Sequence, residues 1–140
     1  MSATESHIKN RFKKEERLHS RKLIDTLFAE GKQFKHSCIR CVFLFSEEPL
    51  QVPVQAMFSV PKKKFKKAVS RNLLKRRMRE AYRLNKSKLN NMLGEGERHL
   101  LLAFLYVSDN TEVYTNIELA IKEILEQLVS QVKKHSGKQG

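Results

Sequence analysis

Between Lys62 and Lys88 the sequence holds 13 Lys and Arg against a single acid, Glu80, which leaves about +1 of the total charge of +13 for all other residues. No apolar core can absorb such a block, so whatever forms here must keep one side in water. An amphipathic helix from Ala68 to Met92 does so. At 100° per residue, Arg71, Asn72, Lys75, Arg76, Arg79 and Arg83 fall within an arc of about 140°, and Leu73, Leu74, Met78, Ala81 and Leu84 fill a similar arc opposite. Arg77 lies in the apolar arc, as a stem that can snorkel at its edge. A concentrated cationic block with one compensating acid raises the local potential and recruits polyanions, whereas a solubilising surface intersperses both signs. Nucleic acid is the leading partner class.

The rest of the chain supplies the body against which that helix packs. With 140 residues and 40% hydrophobic content it suits one domain with one real core. From Ser20, a helical N-cap, Leu23, Ile24, Leu27 and Phe28 form one stripe, and Gly31 ends it. Two strands follow, Cys38 to Phe45 and Val54 to Val60, read as a hairpin across the proline-containing SEEPLQVP. His99 to Val107 is a near-continuous apolar run, as expected of a central strand covered on both faces. Thr115 and Glu118 have capping-box spacing, and Ile117, Ala120, Ile121, Ile124, Leu128 and Val132 mark a last amphipathic helix. The expected order is α-β-β-α-β-α, an α+β sandwich spanning residues 10–134 between flexible, polar ends at 1–9 and 135–140. No stretch reaches the ~18 to 20 apolar residues of a spanning helix, and the N-terminus lacks a signal-peptide pattern, so the expectation is a soluble cytoplasmic protein.

Independent protein chemistry finds little support. Cys38 and Cys41 form C-x-x-C, but residues three apart on a strand face opposite sides, and a structural zinc needs four ligands. Buried free thiols are expected. His7, His19, His36, His99 and His135 have no partner spacing that would orient or activate any of them, and the five glycines form no phosphate-cradling loop. No catalytic or metal-ligating residue is assigned. What remains is a binding surface suited to RNA. Arg71, Arg76 and Arg79 offer planar forks for phosphate, Lys75 a point charge, and Asn72 a donor for phosphate or base edge. Lys62 to Lys67 precede the helix N-terminus, where backbone N–H groups reinforce the attraction. Phe65, among them, either packs back on the core or stacks on a base.

These residues resemble a known family. KAVSRNLLKRRMRE (Lys67 to Glu80), preceded by FSVPKKK (Phe58 to Lys64), is similar to the signature of the bacterial ribonuclease P protein component, an Arg-Asn-x-x-(Lys/Arg)-Arg helix. Arg17-Leu18, the Ile24 and Phe28 face, Gly31, the strand segments and the last helix occur in the family's order. The resemblance implies a monomeric protein within a ribonucleoprotein endonuclease whose catalytic RNA, with Mg²⁺, removes the 5′ leader of precursor tRNA. It also implies a left-handed βαβ crossover, against the usual hand. Carried over to this chain, Lys62, Lys63, Arg71, Asn72, Lys75, Arg76 and Arg79 face the ribonuclease P RNA. A leader cleft between the first helix and the sheet falls to Ile24, Phe28, Arg40 and Val42. Ile24 and Val42 are aliphatic where several family members have aromatics, which weakens base stacking there or moves it to Phe43 or Phe12. A ribosome-associated RNA-binding module needs the same basic face without precursor-tRNA activity. A major-groove DNA regulator lacks an evident dimerisation heptad, and a membrane-surface helix lacks Trp opposite the basic face.

Overall fold

The computed structural model describes residues 11–139, with side chains through His135. The expected lead-in at 1–9 lies outside the described residues. After a 3₁₀ turn at Lys14–Glu16, the elements are α1 (Arg21–Glu30), β1 (Lys32–His36), β2 (Ile39–Phe45), β3 (Val54–Ser59), α2 (Ala68–Asn85), α3 (Ser87–Glu95), β4 (Leu100–Tyr106) and α4 (Tyr114–Gln139). The α+β class holds, with one strand more than the sequence suggested and its long basic helix divided in two.

The sheet runs β1-β2-β4-β3. β4 is central as its apolar run requires, antiparallel to β2 (Cys41 opposite Phe104) and parallel to β3 (Ala56 opposite Leu102). The expected hairpin between β2 and β3 is therefore replaced by two strands flanking β4. The hairpin partner of β2 is β1, whose KQFKH reads poorly as a strand and whose Lys32 and Lys35 keep the sheet edge charged. A two-residue turn closes that hairpin, with Ser37 in the left-handed region at φ 53°. The same turn carries Cys38 into the core that also holds Cys41. Both are buried free thiols as expected, but on one side of the sheet, because Cys38 precedes the strand. Burial pushes both thiol pKa values up.

Helices cover both faces of the sheet. Leu100, Leu102, Phe104 and Tyr106 of β4 point into the larger core with α2, α3 and α4, while Leu101 and Ala103 share a smaller cluster with Leu27 of α1 and with Leu18, which precedes that helix. α1 begins where Ser20 Oγ accepts the Leu23 N–H at 3.3 Å. It ends at Gly31, whose φ of −70° needs no glycine. Close approach explains that residue, since a Cβ there would press on the Leu27 carbonyl, the Phe43 carbonyl and the Val42 side chain. Thr115 lies within α4 instead of capping it. Asn116 and Ile117 N–H both donate to the Val113 carbonyl, and Tyr114 Oη donates to Glu118 Oε2 at 3.2 Å. No helix of the described chain is long and apolar enough to cross a membrane.

Candidate nucleic-acid interface

α2 is rotated about its axis relative to the face its leucines suggest. The buried stripe is Leu74, Met78, Ala81 and Tyr82, whereas Leu84 is 44% exposed and Leu73 only half-buried. Aromatic packing sets the rotation. Tyr82, Phe12, Phe58 and Phe104 form a cluster with ring centroids 5.2 to 5.8 Å apart, largely edge-to-face. The helix then stops at Asn85, whose Nδ2 donates to the Ala81 carbonyl at 2.7 Å, and restarts as α3 after Lys86. Such a side-chain bond competes with the helical ladder.

The rotation sorts the expected cations. Asn72, Arg76 and Arg79 are exposed, and Arg71 and Lys75 half-buried at the edge of the packed stripe. Arg71 Nη1 donates to the carbonyls of Phe65 and Lys66, both at 2.8 Å, which staples the preceding loop to the first turn of α2. Arg83 is held by Glu80 through two contacts, Nε–Oε2 at 3.1 Å and Nη2–Oε1 at 2.5 Å. Arg77 reaches across to the Glu112 carbonyl at 2.6 Å, bracing the approach to α4. The Arg79 guanidinium is held below its ordinary pKa, first by partial burial and then by the charges of Arg17 and Arg76. Like charges crowd here, so an anion gains by entering.

Lys62 and Lys63 are exposed in the turn between β3 and α2. Lys64 is engaged elsewhere, donating to the Val107 carbonyl at 2.9 Å and pairing with Asp109 at 3.1 Å. Phe65 packs into the core with its ring edge toward Tyr106, so the base-stacking alternative is closed.

The four residues expected around α1 are less alike. Phe28 is 46% exposed, Ile24 half-buried one turn earlier, Arg40 exposed on β2 and Val42 buried beneath the helix. Phe43 faces the opposite core, and Phe12 belongs to the aromatic cluster with Tyr82. One groove between α1 and the sheet, of about 360 Å³, is lined by Leu23, Leu44 and Leu101 but also by Glu30, Glu47 and Glu48, with Lys22 pairing to Glu48 at 3.0 Å. Carboxylates make that end of the α1 side unfavourable for phosphate. Sequence reasoning missed a second feature, a cleft of about 410 Å³ that joins Lys75 and Arg79 to Arg17 and His19. The only sequence signal for it was the Arg17-Leu18 pair.

A family model described as Ribonuclease P matches residues 12–133. A ribonuclease P protein component from Porphyromonas gingivalis is 40% identical over 119 residues, covering 85% of this chain and 87% of that protein. One from Chlorobaculum tepidum is 34% identical over 116 residues, covering 76% and 75%. Among solved structures, the ribonuclease P protein of Staphylococcus aureus superposes with a TM-score of 0.66 at 17% identity, over 82% of this chain and 96% of that one. That of Thermotoga maritima gives 0.62 at 21% identity, over 80% and 96%.

Proposed function

This chain belongs to the bacterial ribonuclease P protein family, and from that premise we propose that it is the protein subunit of ribonuclease P, binding both the catalytic RNA and the 5′ leader of precursor tRNA. The observation that carries this reading is the α2 face, where Asn72, Arg76 and Arg79 stand exposed on a rigid helix and Arg76 and Arg79 pair with no carboxylate among the described residues. Arg71, Lys75, Lys62 and Lys63 extend it toward the helix N-terminus. Bound there, RNA phosphates relieve the crowding of like charge, and a rail of fixed cations holds one RNA geometry. The chain thereby supplies charge neutralisation and position, with bond cleavage left to the RNA.

In this reading Mg²⁺ is held by the RNA partner. Among the described residues no group of three or more His, Cys, Asp or Glu side chains is placed to hold a metal ion. On the α1 side, Phe28 and Ile24 supply apolar surface and Arg40 a cation for a single-stranded leader, with Val42 supporting the helix from below. A cytoplasmic, monomeric subunit accords with this role.

The deciding experiment is cleavage of a precursor tRNA at low Mg²⁺ by ribonuclease P RNA, with and without this protein and with the protein alone. Stimulation only when both are present supports the proposal. Cleavage by the protein alone, or no effect with an RNA shown to fold, overturns it. About five phosphate contacts predict a log-log salt dependence of RNA affinity of magnitude about 3.5 to 4.5, and Arg76→Ala reduces it by about one contact.

A further inference from the structure

Arg17 sits at the free edge of β3, in a parallel bridge with Ala56, and the neighbouring Leu18 N–H donates to the Ala56 carbonyl at 3.0 Å. It shares the cleft at this edge with Lys75 and Arg79 of α2, and Phe12, Met57 and Phe58 supply apolar lining. The guanidinium of Arg17 lies 5.8 Å from the Phe12 ring centroid. Among the described residues, no carboxylate pairs with Arg17, Lys75 or Arg79. Three cations from two segments thus converge beside apolar surface, the combination that holds a nucleic-acid strand by its backbone.

The segment that carries Arg17 is fixed by a buried ion pair. Glu16 and Lys86 are 6% and 5% exposed, and Lys86 Nζ pairs with Glu16 Oε1. Each charge has a second partner, Glu16 Oε2 accepting from Lys13 N–H at 2.7 Å and Lys86 Nζ donating to the Arg11 carbonyl at 2.8 Å. Lys86 is also the hinge residue between α2 and α3. A buried pair repays little of its desolvation as net stability, but breaking it strands a charge, so its use is to fix geometry. Here it ties the N-terminal segment to the end of the basic helix.

We propose that the cleft is a further RNA-binding site, in which Arg17 joins Lys75 and Arg79 on backbone phosphates of one strand, and that the Glu16–Lys86 pair is the clasp positioning Arg17. This rests on the reading of α2 as an RNA-binding face. Affinity of the full chain for ribonuclease P RNA, measured between about 50 and 200 mM salt, tests it with Arg76→Ala as reference. Arg17→Ala is expected to reduce the log-log slope by about 0.7 to 0.9, so that the affinity lost across that range shrinks about threefold. Arg17→Lys keeps the slope. Glu16→Gln, confirmed as folded by circular dichroism, loses the same increment, and adding Arg17→Ala removes no more. If Glu16→Gln does not fold, Glu16→Asp, one methylene shorter, takes its place. A slope lowered by Arg76→Ala but untouched by Arg17→Ala overturns the cleft and spares the α2 face. Slopes untouched by either overturn the RNA-binding reading itself, and additive losses from Glu16→Gln and Arg17→Ala overturn the clasp.

Discussion

The two faces of the sheet are packed very differently. Among the described residues, the core on the side of α2, α3 and α4 holds 26 buried residues, whereas the side of α1 holds five, Leu18, Leu27, Val42, Leu101 and Ala103. The thick side supplies most of the burial energy, since each fully buried large apolar side chain contributes about 1.5 to 3 kcal/mol. On the thin side α1 leaves Phe28 46% exposed, while Ile24, one turn earlier, is half-buried against the small cluster. The proposed leader surface thus lies on the thin side, whereas the basic face of α2 belongs to a helix anchored in the thick core through Leu74, Met78, Ala81 and Tyr82.

The sharpest way to break this comparison is Phe104→Ala. Its ring is fully buried among Phe58, Tyr82 and their neighbours, so truncation is expected to cost about 3 to 5 kcal/mol in urea unfolding. A cost near 1 kcal/mol would mean that the thick core does not dominate. On the thin side, Gly31→Ala is the severe change, because the new methyl meets two carbonyls and Val42 Cγ1. Overpacking of this kind is expected to cost about 1 to 3 kcal/mol, read by the same unfolding curves.

Phe28→Ala sharpens the contrast from the other direction. With nearly half its surface already exposed, it is expected to change stability by less than about 1 kcal/mol while weakening the preference for precursor over mature tRNA. A stability loss rivalling that of Phe104→Ala would return Phe28 to the core and remove it from recognition. Tyr82→Phe is the smallest change. The Tyr82 hydroxyl is fully buried without a hydrogen-bond partner among the described residues, and burial raises its pKa. Removing it should leave stability unchanged or higher by about 1 kcal/mol, whereas a clear loss would reveal a partner for that hydroxyl.

How far the sequence carries depends on whether a feature is local. β4 was readable because a strand covered on both faces loses its alternation and becomes a run of apolar residues. α1 was readable because Ser20, the leucine stripe and Gly31 lie within a dozen residues of one another. β1 was not, since KQFKH carries one large apolar residue and becomes a strand by pairing with β2. The basic residues of α2 could be named from their spacing, but their division into free, stapling and paired groups could not. Arg71, Arg77 and Arg83 look alike in sequence, and only Phe65, Glu112 and Glu80 distinguish them.

The sequence by itself determined where the charge accumulates, where the first and last helices and the strands β2, β3 and β4 form, and which strand lies at the centre of the sheet. These follow from periodicity and side-chain chemistry within a few turns of chain. Only the tertiary structure decided that β4 separates β2 from β3, that Tyr82 rotates α2 into the aromatic cluster, and that Lys86 interrupts the helix to meet Glu16. Those outcomes depend on partners up to 70 residues apart, because a periodic pattern specifies which face must be buried and leaves open what will bury it.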